Sequence, residues 1–236
     1  MTQPGNVRPL VLLIPGLDGT GRFYQPHVAE LSIRYRVRPW EFRTRAPFGF
    51  DDLVAELAEG TCDENPGSMV IVGESFGGPV AMHFALAHPD RVRGLVLINA
   101  FAAYRRRVRI NLACLTAPML RWPVIRAVKT VVADRILASE GIPAAQRRLY
   151  HETVRLIDPA AYRQRLELVR TVDLADRLGE INVPTLILAS GRDKLVSSIR
   201  AGRFMASRIP NARLHEFPRA GHALLLTPGF SLAAYI

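Results

Sequence analysis

Gly73-Glu74-Ser75-Phe76-Gly77 sets a serine between two glycines in the pattern G-x-S-x-G. The apolar run Met69-Val-Ile-Val72 precedes it and a helix-like stretch from Pro79 to Ala87 follows, so the pentapeptide falls on a strand-to-helix turn. Glycines there let the turn tighten and lift the hydroxyl clear of the backbone. A serine hydroxyl is a weak nucleophile near neutral pH, and the turn is useful only with a base in reach. Of the histidines at 27, 83, 88, 151, 215 and 222, position favours His222, which follows the last predicted strand in a Gly-His turn. His83 falls inside a helix and His215 inside a strand, where packing or surface roles are expected. His27, His88 and His151 sit on loops or helix ends without a companion motif.

Asp193, in Gly191-Arg192-Asp193, follows another apolar run and completes the set. A carboxylate at that place can accept from an imidazole, fix its tautomer and stabilise the imidazolium formed as Ser75 loses its proton. Attack on a carbonyl also creates an oxyanion that needs donors. Phe76 offers the N–H after the nucleophile, and the loop Pro15-Gly16-Leu17-Asp18-Gly19 can offer a second from Leu17. Asp18 is awkward there, because a carboxylate aimed at an oxyanion opposes it. Its side chain is expected to turn away to loop donors and to cap a helix starting near Phe23.

These residues need a scaffold that gathers them on one rim. Leu10–Ile14, Met69–Val72, Leu95–Ile98 and Thr185–Ala189 are continuous apolar runs stopped by Gly, Pro or polar residues, and Arg213–Phe217 is a shorter alternating one. Helical stretches lie between them, at Asp51–Glu59 with Asp51 as cap and at Pro79–Ala87, which His88-Pro89 ends. The alternation predicts an α/β fold, a doubly wound and mostly parallel sheet whose ligand site lies beyond the carboxyl ends of the strands. Strand signal disappears between Phe101 and Val172, where prolines at 118, 123, 143 and 159 break an Ala-, Leu- and Arg-rich segment. We therefore expect a core of residues 1–100 and 173–236 with a helical insertion at 101–172.

The chain has 236 residues, room for one domain with an insertion, and 49% are hydrophobic against 22% charged. That balance excludes a disordered chain. The run Leu10–Ile14 is too short for a secretory leader or a bilayer span, and Cys62 and Cys114 lack metal or redox spacing, so a reducing, cytoplasmic setting is expected. The formal charge is +10, but only Lys129 and Lys194 are lysines among 31 basic residues and the arginines are scattered, so nucleic acid is not expected as a partner. The cluster Arg105-Arg-Arg-Val-Arg109 reads first as a solvated helix face, with an anionic substrate group or a peripheral membrane contact as alternatives. Phe101, Tyr104, Leu120 and Trp122 are candidates for an acyl pocket or for core packing.

Taken together, Pro15-Gly16-Leu17-Asp18-Gly19, Gly73-Glu74-Ser75-Phe76-Gly77, Gly191-Arg192-Asp193 and Gly221-His222 resemble the α/β-hydrolase superfamily from Leu10 to Ile236. The likeness is to small esterase-like members with a helical cap between the sixth and seventh core strands. It implies the α/β-hydrolase fold, a Ser75-Asp193-His222 triad, and Leu17 and Phe76 as oxyanion donors. It also implies cleavage of a small-molecule ester with an apolar acyl group, with no metal or organic cofactor. Thioester hydrolysis and acyl transfer use the same residues, and a ligand-binding protein on the same scaffold or a basic interaction protein are the other classes. Two departures stand out: many members have His-Gly where this chain has Pro15-Gly16, and Leu232–Ile236 is short for the terminal helix.

Overall fold

A computed structural model describes residues 8–117, 119–127, 130 and 142–236, and of Arg107 only the backbone. The expectation about Pro118 and the middle of the 101–172 insertion thus lies partly outside the described residues. Six strands form one sheet in the order β2-β1-β3-β4-β5-β6. They are β1 (Leu10–Ile14), β2 (Arg36–Pro39), β3 (Met69–Glu74), β4 (Val92–Ile98), β5 (Thr185–Ser190) and β6 (Ala212–Phe217), and every neighbouring pair is parallel.

The continuous apolar runs follow from burial on both faces. In β1, Leu10, Leu12 and Ile14 enter one apolar layer while Val11 and Leu13 enter the opposite one. The first layer holds α2 (Phe50–Gly60) and α3 (Gly77–Ala87), and the second holds α1 (Gln25–Leu31) and the short 3-10 turn Leu232–Tyr235. Helix α3 is apolar almost all round because it lies inside the molecule, and it stops at His88 before Pro89. Helix α2 begins at Phe50, one residue before the predicted start. Gly49, not Asp51, is its cap, and the Asp52 carboxylate accepts from the Gly49 N–H at 2.7 Å.

Strand β2 has no counterpart among the predicted strands. It alternates Arg36, Val37 and Arg38 at the sheet edge, where charge deters pairing with another chain, and so shows no apolar run. Arg36 and Arg38 both pair with the buried Glu64. Between β4 and β5 the chain forms α4 (Arg107–Thr116), α5 (Ala144–Leu156) and α6 (Pro159–Thr171). Pro143 precedes α5, and Pro159 opens α6 behind Asp158, whose carboxylate accepts from Ala161 N–H at 2.8 Å. An antiparallel bridge of Ala103 with Asp173, reinforced by Leu174 N–H to Ala102 O at 2.9 Å, closes the base of this segment. Helix α7 (Ser198–Ala206) then covers β5 and β6. Among the described residues, no helix is long and apolar enough to cross a membrane.

Candidate active site

Strand order reverses direction between β1 and β3, so the loops leaving these two strands diverge and open a crevice at their carboxyl ends. Ser75 stands there. It leaves β3 with φ of 52°, a left-handed conformation that costs a non-glycine residue of order 1 kcal/mol or more. The strained turn is over-determined: Ser75 N–H donates to Ile98 O at 2.9 Å and Ser75 O accepts from Gly78 N–H at 3.1 Å. Gly77 packs its α-carbon against the Ile14 and Pro15 carbonyls, where any β-carbon would collide. That close approach sets the loop after β1 beside the serine.

His222 and Asp193 arrive from the loops after β6 and β5. His222 Nε2 lies 3.0 Å from Ser75 Oγ, and its Nδ1 lies 2.6 Å from Asp193 Oδ2. Asp193 is in turn fixed from the other side. Its Oδ1 accepts from the N–H groups of Leu195 and Val196 at 2.8 and 3.1 Å, and its Oδ2 accepts from the Ser198 hydroxyl. Burial alone would raise the Asp193 carboxyl, but the His222 charge and these hydrogen bonds hold it at about 2. Being ionised, it can only accept, so Nδ1 carries the proton and Nε2 presents its lone pair to Ser75. Burial opposes the imidazolium, and the Asp193 charge and hydrogen bond, helped by the Glu74 charge, outweigh it and raise the His222 pKa above its ordinary value.

The other histidines are spent elsewhere. His27 is buried in α1 with Nε2 2.8 Å from Leu225 O, His83 stacks on Phe50 at 4.4 Å, and His215 packs against Phe217 in β6. Leu17 and Phe76 N–H donate to no protein acceptor among the described residues. Phe76 itself is fully buried against Phe42 and Phe50, which fixes the peptide that bears its N–H. The Asp18 carboxylate turns to Thr20, accepting from its N–H at 2.9 Å and its hydroxyl at 2.6 Å. It caps no helix: a 3-10 turn begins at Arg22 behind Gly21 without a side-chain cap.

Three further side chains stand at the site to which the sequence alone gives no role, Glu74 among them although it lies within the pentapeptide. Arg165 of α6 is 2% exposed and donates from Nε to Leu17 O at 3.0 Å and from Nη2 to Asp18 O at 3.2 Å, clamping the loop from above. Asn99, 1% exposed with φ of 47°, ties three strand ends together. Its Oδ1 accepts from Ser190 N–H at 2.8 Å, and its Nδ2 donates to Ser190 Oγ at 3.0 Å and to His222 O at 2.7 Å. Glu74 ends β3 with its carboxyl over Gly16, where a β-carbon would collide with it, and with Oε1 3.9 Å from His222 Nε2. Burial, opposed by His222 and assisted by Asp18 and Asp193, pushes its pKa up to about 8.

Of the proposed pocket residues, Phe101 is a core residue packed on Tyr104, whose hydroxyl donates to Leu195 O at 3.0 Å. Trp122 meets Tyr162 edge-on and Leu120 is exposed. Cys62 and Cys114 are free thiols, and burial beside Glu167 pushes Cys114 up to about 11, far from a nucleophile's range.

Comparison with known proteins bears on this arrangement. Residues 48–228 match the protein family described as Serine aminopeptidase, S33. The chain is 30% identical to the protein named "Putative carbamate hydrolase RutD" of Variovorax paradoxus, over 92% of this chain and 86% of that one. It is 27% identical to the pimeloyl-[acyl-carrier protein] methyl ester esterase of Nitrosomonas europaea, over 75% of this chain and 73% of that one. Its fold is shared with an esterase from Exiguobacterium antarcticum at a TM-score of 0.80 and 19% identity, over 93% and 87% of the two chains.

Proposed function

The chain belongs to the α/β-hydrolase superfamily, in the family described as Serine aminopeptidase, S33, and from that membership we propose that it cleaves carboxylic esters through an acyl-enzyme on Ser75. The observation that carries this reading is the unbroken hydrogen-bonded chain from Ser75 Oγ through both nitrogens of His222 to Asp193. Nε2 takes the Oγ proton as Oγ attacks the ester carbonyl, and the oxyanion forms against the Leu17 and Phe76 N–H groups. The imidazolium then returns that proton to the departing alcohol, leaving the acyl group on Ser75. Water, deprotonated by the same nitrogen, attacks the acyl carbonyl, and the free acid leaves with Ser75 restored. The helices between β4 and β5 serve as a cap, and Arg165 couples that cap to the loop that carries Leu17. Relatives named for carbamate and methyl ester cleavage support hydrolysis at an acyl carbonyl bonded to a heteroatom.

A panel of p-nitrophenyl esters from acetate to palmitate, followed at steady state and in the first turnover, tests this. Turnover with an initial burst of p-nitrophenol close to one equivalent per chain is the expected result, and the panel gives the acyl preference. No turnover on any ester, with saturable ester binding intact, would replace the reading with a ligand-binding one.

The pH profile follows from the same geometry. The base must be neutral, so activity rises as pH passes the His222 pKa, on the alkaline side of an ordinary imidazole. Glu74 faces His222, Asp18, Asp193 and Tyr24, and loses its own proton near pH 8. Its new negative charge favours the imidazolium and opposes the developing oxyanion, so kcat/KM is expected to bend down above that pH. Glu74→Gln removes the ionisation and extends the plateau to higher pH. An alkaline limb that is the same in both proteins would show that another group causes it.

A further inference from the structure

Helix α4 is apolar on two opposite faces. Ile110, Cys114 and Ala117, spaced i, i+4 and i+7, join the apolar layer that holds α2 and α3, and α4 packs on α6. Val108, Leu112 and Leu115 repeat that spacing two residues earlier, about 200° round the helix, and Met119 follows them at the next such interval. This second row stands open: the four side chains are 81%, 59%, 68% and 78% exposed. Leu120 and Val124 are exposed as well, so of the eight large apolar side chains that are exposed among the described residues, six fall within residues 108–124. An ordinary surface scatters such residues singly. The row is also held in place. Arg163 of α6 donates from Nε to Ala117 O at 3.0 Å, and Arg106 and Arg109 donate from Nη1 to Lys194 O at 2.8 and 2.9 Å.

The charge of the same stretch has one sign. Residues 105–129 contain seven basic residues and no acid. Arg105, Arg109 and Arg121 are exposed, and none of the three pairs with a carboxylate among the described residues. Glu167, which meets Cys114 from α6, pairs instead with Arg170 of its own helix at 2.7 Å. An exposed apolar row in a wholly basic setting favours a partner that is apolar inside and anionic at its surface.

We propose that the open face of α4 docks on an anionic lipid bilayer, its apolar row entering the boundary between headgroups and acyl chains while the arginines meet the lipid phosphates. This does not rest on the ester-hydrolase reading. Guanidiniums on long apolar stems can reach the phosphate level while the shorter leucines and valine sink below it. A second copy of the chain fits the face poorly, because two-fold pairing sets these arginines against their own counterparts. A folded protein is read through placed hydrogen-bonding groups, and of the amide and hydroxyl side chains of α4, Asn111 and Thr116, the latter returns its hydroxyl to Leu112 O at 2.8 Å. A bilayer requires no such groups.

The test is co-sedimentation of the full chain with vesicles of phosphatidylcholine alone and of phosphatidylcholine with phosphatidylglycerol. Binding to the anionic vesicles is expected to be at least about tenfold stronger than to the neutral ones and to weaken as salt is raised. Leu112→Gln/Leu115→Gln keeps every charge and a good helix former at each site, and should lower the partition coefficient about tenfold. Arg105→Gln/Arg121→Gln should lower it by a similar factor. Ile33→Gln, which removes an apolar side chain 70% exposed outside this stretch, should leave it unchanged. Failure of the wild type to bind anionic vesicles overturns the proposal. So does binding that Leu112→Gln/Leu115→Gln leaves intact, which would be adsorption through the overall charge of +10, or a loss in Ile33→Gln as large as in that variant. Sedimentation velocity without lipid tests the other occupant: a dimer that Leu112→Gln/Leu115→Gln abolishes, in a chain that ignores vesicles, would assign the face to a second copy.

Discussion

Ser75→Ala is expected to lower kcat on the preferred ester by about 10⁶-fold, with the protein still folded. The loss is that large because, in the proposed mechanism, Oγ is the atom that forms the new bond. The Glu74 carboxyl, 3.9 Å from His222 Nε2, is largely protonated at neutral pH and does not take the place of Oγ. What is expected to survive is the activity that the proposed Leu17 and Phe76 donors and substrate binding supply alone, about 10³–10⁴ over water. Steady-state rates of the two proteins, prepared side by side, measure the difference. A companion variant separates chemistry from strain. Ser75 holds φ at 52°, a conformation that glycine adopts freely, so Ser75→Gly should unfold at a higher temperature than Ser75→Ala, by about 1 kcal/mol, while being equally inactive. Activity retained in either variant would move the nucleophile elsewhere. Equal stability of the two would mean that the turn is not strained.

Much of this site was legible because each of its three polar residues comes in the loop or turn after a recognisable strand, two of them apolar runs and the third, β6, an alternating one. Ser75 comes after β3, Asp193 after β5 and His222 after β6, and a parallel sheet sends all such loops to one rim. Local patterning sufficed for them, since the runs of β3 and β5, buried on both faces, announce themselves in the sequence, and β6 shows as a short alternation before the Gly221-His222 turn. Strand β2 did not, because an exposed edge made of Arg36, Val37 and Arg38 carries charge where the inner strands carry leucine and valine. Arg165 was hidden for another reason. It looks like one more arginine on a surface helix, and its role exists only because α6 folds back across 148 residues to meet Leu17 O. Asn99 likewise reads as the polar end of a strand, and its work is done on Ser190 and His222, both distant in sequence. Asp18 shows the converse: the expectation that its charge must be diverted rested on chemistry alone, and Thr20, two residues on, is the diverting partner. Glu74 could be read as part of the pentapeptide but not as a buried acid, because burial at that position depends on the loop around Gly16.

Asp193→Asn should cost about 10⁴-fold in kcat, less than the loss of the nucleophile but far more than its position away from the reacting atoms suggests. The substitution keeps the shape and one acceptor. With its amide oxygen toward Leu195 and Val196 N–H, the loop after β5 retains both of its bonds and the fold persists. The amide nitrogen then faces His222 Nδ1 and, being a donor, selects the opposite tautomer, with the proton on Nε2. That nitrogen now donates toward Ser75 Oγ instead of accepting from it, so the base is absent although every heavy atom is in place. The pH dependence should move as well. In the wild type the Asp193 charge and hydrogen bond overcome burial to raise the His222 pKa. With that charge gone, burial prevails and the pKa falls, so the acid limb of the residual kcat/KM shifts to lower pH. Proton NMR of the Nδ1–H gives an independent reading, since its strongly deshielded resonance should be present in the wild type and lost in Asp193→Asn. A variant that keeps kcat within about tenfold of the wild type would mean that His222 is oriented without Asp193, with Asn99 at its carbonyl as the remaining support.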